Sequence, residues 1–470
     1  MARAESWTPD TDKTNGRFVD VLRVRAFSVL YLAEMQSIVG DQVARIALAV
    51  LVFDRTGSAA ASALSFACTF LPAIAGGAWL AGIGDRFSRR AVMVGCDVVR
   101  AALFALMAIP GLPLPVLFAL LVLAVFIGPA FSASEVSVLV GTLDSARFRL
   151  ATGLRMVTGQ LAQVAGFAVG GAAVGLLDPR GALLVDAATY VISATLVGLL
   201  LGATGSGHGE LAGDPVELGA IVGRARTDDV SPARWLWRQP RVRLLVAVGW
   251  LASCFVAPEG LAVPFAVGHG ASTTQAGLLL AAIPLGGAFG AIAVARLVPP
   301  RARSTLALWM AVFAGIPLIA TVAATNVPAA CVLWGLSGVF AAYQVEVTTQ
   351  IVRQIPDRRR AGTLGLVAAG LVGAQGCGLI VFGLVAQATS PGTAVAVAGG
   401  VGSVLALVLT LALGGLSGGS PKVLNASCEG EAIEVPHSSP SARDVSSVPT
   451  LRRAVGVNDG RHASDPGELG

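Results

Sequence analysis

The sequence predicts an all-α polytopic membrane protein with twelve transmembrane helices in two six-helix bundles, and three observations support this fold class. Only 13% of the 470 residues are charged and 54% are hydrophobic, whereas a soluble domain carries about 25% charged residues. The mean hydropathy is +0.74. The arginines concentrate in every second loop between long apolar runs. We therefore expect a lipid bilayer to be the main solvent of this chain.

Twelve apolar stretches are long enough to cross the bilayer, since a spanning helix needs about 20 mostly apolar residues. Glycines, prolines and charge clusters separate them. The first bundle, within 23–202, contains the stretches 26–53, 58–81, 91–110, 113–138, 150–177 and 181–202. The second bundle, within 242–415, contains the stretches 242–267, 275–297, 304–324, 327–352, 361–386 and 392–415.

The loop charges predict the orientation of the helices. If the N-terminus is inside, the outer loops contain only Arg55 and Arg180, and nearly all other basic residues fall on the inner side. This distribution is the positive-inside bias. We expect both termini in the cytoplasm. Only Lys13 and Lys422 among the 33 basic residues are lysine, which suggests a GC-rich bacterial genome and hence a bacterial inner membrane.

Three polar segments flank or join the bundles. Residues 1–22 lack an apolar signal core and are expected to be a cytoplasmic N-terminal segment. Residues 203–241 form a predicted cytoplasmic central loop between bundles of similar length, a layout typical of transporters built from repeats. Residues 416–470 are rich in serine, proline, glycine and charge, and we expect a disordered cytoplasmic tail.

Several function classes lack their sequence features. The six cysteines show no metal-ligand or disulfide spacing, and there are four histidines. No phosphate-binding GxxxxGK[ST] motif occurs, and the basic residues form no stripe with interleaved aromatic residues. We therefore expect no metal, no cofactor and no nucleic-acid partner. A polytopic membrane enzyme would need a clustered His, Asp or Cys constellation, and none is visible.

A charged loop between the second and third stretches resembles a family motif. The segment "LAGIGDRFSRRAVM" places Asp85 and Arg86 shortly before Arg89 and Arg90. It is similar to the inner loop G-x-x-x-D-R-x-G-R-R of the major facilitator superfamily, with Ala81 and Ser88 in place of two glycines. The resemblance implies the fold of that superfamily and a breakable cytoplasmic latch that steadies an outward-open state. The matching loop of the second half, "ARLVPPRARSTL", has no acid, so the latch is expected to be one-sided.

The resemblance covers about 26–415 and points to an exporter branch. "GDQVARIALAVLVFDRTGS" and "LLVDAATYVISA" resemble segments of the macrolide and siderophore exporters among the drug/proton antiporters. "AGFAVGG" is similar to the antiporter motif G-P-x-x-G-G, with Gly166, Gly170 and Gly171 matching and Phe167 in place of the proline. These glycines are gate residues by resemblance, or simply a packing face of small residues. The fourth stretch lacks the arginine of many such antiporters.

Ionisable side chains inside a predicted span are candidate functional groups, because they are costly in hydrocarbon. Glu34, Asp41 and Arg45 lie within about 60° of one another on the first helix. Asp41 and Arg45 are spaced to neutralise each other, whereas Glu34 has no basic neighbour one turn away. A carboxylate held away from water can bind and release a proton near neutral pH. Glu34 or Asp41 is therefore our candidate for proton coupling.

Other polar residues are candidates for the wall of a central cavity, or are polar groups with a structural role. Asp97 and Arg100 are spaced for self-pairing in the third span. Glu259 lies in "VAPEGLAVPFA", where two prolines should break the outer part of the seventh span. The remaining candidates are Asp186 near the outer end of the sixth span, with Tyr190 and Ser193 on the same face, and Tyr343, Glu346 and Gln350 on the tenth.

These observations predict a non-enzymatic secondary transporter that works by alternating access as a monomer. The resemblance implies efflux of a small organic molecule, such as an antibiotic, drug or siderophore, in exchange for protons. The alternatives are an uptake carrier for a metabolite and a lipid-moving carrier of the same fold. A transporter-like sensor that moves nothing would need an ordered accessory domain.

Overall fold

The computed structural model describes residues 18–80, 82–201 and 231–418. Most of the N-terminal segment and central loop, and nearly all of the predicted tail, lie outside these residues. Throughout the described part, helices follow one another without β-strands, as the sequence predicts.

The first six spans form one bundle. Span 4 is the helix with the highest mean hydropathy among the candidate spans. Span 2 is interrupted at 68–70, and spans 5 and 6 meet at Asp178. In chain order the spans are Arg25–Thr56, Ala59–Ala67 with Leu71–Leu80, Arg89–Met107, Leu114–Thr142, 145–177 and 179–200.

The second six spans form the other bundle, and three of them are broken. Span 7 is interrupted at Leu251 and Val256, a few residues before the predicted break around Glu259. In chain order the spans are Pro240–Trp250 with Ala252–Phe255 and Ala257–Gly268, Thr273–Leu297, Pro300–Phe313 with Ile316–Ala320, Val327–Ala341 with Tyr343–Gln354, Arg360–Ala388 and Pro391–Gly418.

Twelve spans therefore occupy the described residues. Ten helical stretches are long and apolar enough to cross a membrane. One of them, 145–200, contains both span 5 and span 6. The twelfth is span 3, which is not among these ten stretches. It carries four charged residues, Arg89, Arg90, Asp97 and Arg100. The ends of the predicted stretches agree with the helices to within three residues, except at the end of span 4, the start of span 5 and both ends of span 9, where they differ by four or five.

The tight connections between spans have local causes. Gly57 ends span 1 with φ of 59°, a left-handed conformation that glycine adopts without steric cost. Asp178 has φ of 60° and ψ of 171°, and its Oδ1 accepts hydrogen bonds from the backbone N–H groups of Arg180 and Gly181 at 2.7 and 3.1 Å. The Asp178 side chain therefore caps span 6.

Every span runs between two ends that differ in charge. One end carries the short connections at Gly57, Gly111, Asp178, Gly270 and Ser390, and we call it the turn end. The other end carries most of the described loop arginines, and we call it the arginine end.

The buried residues show where the bundles meet. One hydrophobic core includes the turn-end halves of all six spans of the first bundle together with all six spans of the second bundle. The arginine-end half of the first bundle has a separate core around Phe27, Leu30 and Met93. The bundles thus share a core at the turn end, whereas the first bundle packs on itself at the arginine end.

Candidate functional site

Ionisable side chains concentrate inside the first bundle. The five acids come from spans 1, 3, 4 and 6, and the three arginines from spans 1, 3 and 5. They are Glu34, Asp41, Asp97, Glu135 and Asp186, with Arg45, Arg100 and Arg155.

A Glu–Arg–Glu triad joins spans 1, 4 and 5. Arg155 donates from Nε to Glu34 Oε2 at 2.5 Å and from Nη2 to Glu34 Oε1 at 2.7 Å. The same Nη2 lies 2.9 Å from Glu135 Oε2. The side chain of Glu135 is only 4% exposed, against 23% for Glu34 and 19% for Arg155. One guanidinium therefore neutralises two carboxylates, and Glu135 is the more deeply buried of them.

A second cluster, nearer the middle of the bundle, surrounds Arg100. Its guanidinium carbon lies 4.1 Å from the centre of the Tyr190 ring, and its Nη2 lies 3.5 Å from Asp41 Oδ1. The Tyr190 hydroxyl donates a hydrogen bond to the same Asp41 oxygen. This arrangement ties span 1 to spans 3 and 6 by a charge-assisted hydrogen bond and a cation–π contact.

Three carboxyl groups of the first bundle each have one buried oxygen without a hydrogen-bond partner among the described residues. They are Glu135 Oε1, Asp97 Oδ2 and Asp186 Oδ2. Asp97 and Asp186 are 1% and 0% exposed. An ionised carboxylate accepts bonds on both oxygens, so each of these groups is incompletely compensated if it is charged.

A cavity of about 390 Å³ opens beside the second cluster, between spans 1, 2, 3 and 4. Asp41, Arg45 and Arg100 supply its charge, and the rest of its wall is mainly apolar, with Leu48 and Phe104 among the lining residues. Its volume falls in the range of small-molecule sites, about 300–1,000 Å³. An amphiphile with a polar or charged group fits this lining.

A larger groove, of about 1050 Å³, runs between spans 3 and 6. It is lined mainly by alanine and valine, and Val98, Val191 and Leu199 in it are exposed. We assign it to the lipid-facing surface, because it contains none of the interior acids. The smaller cavity is the better candidate for a substrate site.

The structure corrects two pairings and one unpaired carboxylate that helix spacing predicted. Arg45 lies 3.3 Å from Gln42 Oε1 and over the Phe70 ring, and Asp41 pairs with Arg100 instead. Asp97 does not form an ion pair with Arg100 among the described residues. Glu34 is not a free carboxylate, since Arg155 binds both of its oxygens. The actual partners come from neighbouring helices, and the spacing of residues along one helix gives no information about them.

Sequence reasoning missed Glu135 and Arg155. Both are ionisable residues inside predicted or extended spans, so the rule that selected Glu34 and Asp41 also selects them. Span 4 lacks the arginine that many drug/proton antiporters carry there. Arg155 lies on the next helix, span 5. The helix spacing within one span gave no signal that three spans converge on it.

The remaining predicted candidates lie in both bundles. Asp186, predicted near the outer end of span 6, is buried inside the first bundle against Gly40 and Thr189. Tyr343 is 1% exposed and packs within the second bundle, where its hydroxyl lies 3.4 Å from the Val248 carbonyl oxygen. Glu346 is half-buried in the first turn of the helix Tyr343–Gln354. Glu259 is in the first turn of Ala257–Gly268.

The three glycines of span 5 belong to two interfaces. A Cβ on Gly166 would lie 2.8 Å from the Gln42 side chain, and one on Gly170 would lie 2.9 Å from Val43, so both pack against span 1. A Cβ on Gly171 would lie 2.7 and 2.8 Å from backbone atoms of Thr273 and Gly277. Gly171 therefore contacts span 8 of the other bundle.

The predicted latch loop is only partly described. Asp85 belongs to the short helix Ile83–Arg86, and its side chain, like Ala81, lies outside the described part. Arg86 is exposed. Arg89 donates to the Ser137 carbonyl oxygen at 3.1 Å, and Arg90 to that of Gly198. These arginines thus bind the arginine ends of spans 4 and 6.

The two bundles are in contact toward the turn end. Ser58 donates to Gln387 Oε1 at 2.8 Å between spans 2 and 11. Gly260 and Gly383 both approach Ala63. Val157, Val164 and Gly171 share one face of span 5, and along this face burial falls from the buried Gly171 to Val157, which is 64% exposed. A cleft between the bundles therefore opens at the arginine end.

Comparison with known proteins identifies similar chains. A family model described as Major Facilitator Superfamily matches residues 30–319, more than half of the chain. YkuC of Bacillus subtilis (strain 168), an uncharacterized MFS-type transporter, is 25% identical over 182 residues. That alignment covers 38% of this chain and 42% of YkuC, so it spans less than half the relative's length.

Three solved structures share the fold. The nucleoside transporter NupG has a TM-score of 0.62 at 13% identity, over 83% of this chain and 98% of its own. A bacterial homologue of the human lysosomal transporter Spinster, in an inward-facing and unoccupied conformation, has a TM-score of 0.61 at 15% identity, over 83% and 94%. A POT family transporter in complex with 5-aminolevulinic acid has a TM-score of 0.64 at 13% identity, over 84% and 97%.

Proposed function

Because the chain belongs to the major facilitator superfamily, and is thus a multi-pass membrane transporter, we propose that it exports a small amphiphilic or weakly cationic organic molecule across the cytoplasmic membrane in exchange for protons. It works by alternating access, in which the two bundles rock against each other and the cavity beside Asp41 becomes accessible to one side of the membrane at a time. The drug/proton antiporter branch is part of this proposal.

The observation that carries proton exchange is the excess of acids inside the first bundle. Five acids share this interior with three arginines, and Arg45 contacts Gln42 and Phe70 and forms no ion pair within 4 Å among the described residues. An uncompensated charge inside a membrane costs about 2.5–3.5 kcal/mol on insertion scales. Binding a proton removes that cost, so the excess acids are suited to take up and release protons.

The cavity beside Asp41 supports the substrate class. Its wall is mainly apolar, with one acid and two arginines. Apolar surface binds the body of an amphiphile, and Asp41 offers a carboxylate to a basic group on it. A cationic substrate that displaces Arg100 from Asp41 changes the charge around the other interior acids, which couples substrate binding to proton binding.

The open cleft supports loading from the cytoplasm. The cleft opens at the arginine end, and the positive-inside bias predicts that this end is cytoplasmic. A site that is accessible from the cytoplasm and closed at the turn end is ready to accept a molecule for export.

The test is ethidium transport in energised inside-out vesicles, with lumenal pH recorded together with ethidium uptake. We expect the wild type to accumulate ethidium while protons leave the lumen. We expect Asp41→Asn to abolish both signals, and Glu346→Gln, which neutralises a half-buried acid of the other bundle, to keep them.

The same experiment separates the alternatives. Macrolides and siderophores replace ethidium in parallel runs. A folded, inserted wild type that moves none of these compounds, or that moves one of them together with protons in the same direction, would contradict the proposal and favour an uptake carrier.

A further inference from the structure

The Glu34–Arg155–Glu135 triad cannot be neutral while all three groups are ionised. One positive charge faces two negative charges, at distances of 2.5 to 2.9 Å. The triad lies in the arginine-end half of the first bundle, because Glu34 is nine residues into span 1 and Glu135 is seven residues before the end of span 4. At 1.5 Å per residue this is roughly 10–14 Å from that end.

The two carboxylates of the triad are held differently. Both oxygens of Glu34 accept hydrogen bonds from Arg155, in the bidentate geometry that stabilises a carboxylate as an anion. Glu135 is bound through Oε2 alone, and its Oε1 is buried with no hydrogen-bond partner among the described residues. Of the two carboxylates, Glu135 is therefore the one whose protonation costs less free energy.

Charged groups on the neighbouring spans act on Glu135 in opposite directions: the acids favour its protonated form and the arginine favours its ionised form. Glu34 of span 1 and Asp97 of span 3 place negative charge near Glu135, and Arg155 of span 5 is the positive group that faces it. Span 2 contains no charged residue. Arg89 at the arginine end of span 3 is bound to the Ser137 carbonyl oxygen, and Arg86 of the short helix Ile83–Arg86 is exposed.

We propose that Glu135 is the residue that binds the exchanged proton, and that Arg155 is a positioning residue held by Glu34. This inference rests on the proposed function, because it names the proton site of that exchange. Protonation adds one proton to Glu135 and brings the triad to neutrality, while Arg155 keeps its two bonds to Glu34. The proton arrives from the arginine end through the partly exposed Glu34 and Arg155.

The first test needs no substrate. The full-length protein in lipid nanodiscs is titrated with acid, and infrared difference spectra follow the C=O stretch of protonated carboxyl groups. We expect Glu135→Gln to remove one component of this band and Glu346→Gln to keep it. Glu34→Gln should keep the component but move its midpoint to lower pH, because Arg155 then faces Glu135 alone. An unchanged band in Glu135→Gln overturns the inference.

The second test measures coupling in proteoliposomes with ethidium as the probe. One proton exchanged across a gradient of one pH unit sustains about tenfold accumulation. We expect Glu135→Gln to lose this accumulation and to keep ethidium exchange at equal pH. Glu135→Asp, which keeps a titratable carboxyl group, is expected to retain accumulation with a displaced pH midpoint, and this guards against a folding defect.

The two proposals fail in different ways. If the wild type does not accumulate ethidium or any other compound against the gradient, the proposed exchange is wrong. If the wild type accumulates ethidium and Glu135→Gln accumulates it equally, the exchange stands and Glu135 is not its proton site.

Discussion

At the scale of single residues, the first bundle depends on a few arginines that each serve more than one helix. Arg155 binds two carboxylates on spans 1 and 4, and Arg100 contacts Asp41 of span 1 and the ring of Tyr190 on span 6. A buried acid that loses its arginine is an uncompensated charge in a medium of low dielectric. These arginines therefore hold the bundle together and set its internal charge.

We expect Arg155→Gln to destabilise the protein strongly, because it leaves Glu34 and Glu135 without their shared cation. Breaking a buried ion pair by removing one partner costs about 3–5 kcal/mol. The measurement is the free energy of unfolding in mixed micelles, titrated with a denaturing detergent at neutral pH.

Arg147→Gln is the matched control for this prediction. Arg147 lies 3.6 Å from Asp144, and both side chains are more than half exposed. Exposed pairs contribute about 0–1 kcal/mol, so the control should unfold nearly as the wild type does. Equal stability of the two variants would mean that the triad does not stabilise the bundle.

The sequence predicted the acids of this site better than their partners. Glu34, Asp41, Asp97 and Asp186 are visible because acids inside apolar stretches are rare. Their partners were sought one turn away on the same helix, where Asp41 and Arg45 are spaced to pair. The bundle instead brings Arg100 to Asp41 and Arg155 to Glu34. Such pairings depend on helix rotation and depth, which a single sequence does not specify.

At the scale of elements, glycine determines how closely spans of the two bundles approach. Span 5 presents Gly166 and Gly170 to span 1, and Gly171 to span 8. The motif "AGFAVGG" predicted close packing here but not its division between two interfaces. Among the three glycines of this motif, only Gly171 faces the other bundle, so it is the motif position at which a side chain would separate the bundles without disturbing the contact between spans 1 and 5.

We expect Gly171→Val to open the turn end. A Cβ at this position would lie 2.7–2.8 Å from backbone atoms of span 8, and backbone cannot move aside as a flexible side chain does. The variant should expose Ala63, which is fully buried here between Gly260 and Gly383. The measurement is labelling of Ala63→Cys by a membrane-impermeant thiol reagent in right-side-out vesicles, in a background without the native cysteines.

Gly153→Val is the control for this experiment. Gly153 lies on the same helix, and nothing lies within 4 Å of a Cβ built there. It should leave Ala63→Cys protected. Labelling that is equal in both variants, whether high or low, would show that the contact of Gly171 with span 8 does not close the turn end.

At the scale of the whole molecule, composition and loop charge were sufficient to predict twelve spans and two bundles. The end at which the bundles separate was not predictable from them. Two arrangements of the same helices differ by only a few kcal/mol in proteins that switch between states. That difference arises from contacts such as those of Ser58 with Gln387 and Gly171 with Gly277. Each such contact contributes little free energy compared with the insertion of the helices into the membrane.

The open cleft predicts which residues at the arginine end and at the turn end are accessible to a water-soluble reagent. Val157 is 64% exposed and shares a helix face with the buried Gly171. If the arginine end is cytoplasmic, as the positive-inside bias predicts, an impermeant thiol reagent should label Val157→Cys in inside-out vesicles. It should not label Ala63→Cys in right-side-out vesicles, whereas Ser390→Cys, at the exposed turn end, should be labelled there.

If Ser390→Cys reacted only in inside-out vesicles, the orientation would be reversed. If Val157→Cys were protected while Ala63→Cys reacted, the protein in the membrane would favour the opposite arrangement, and the acids of the first bundle would load from the other side.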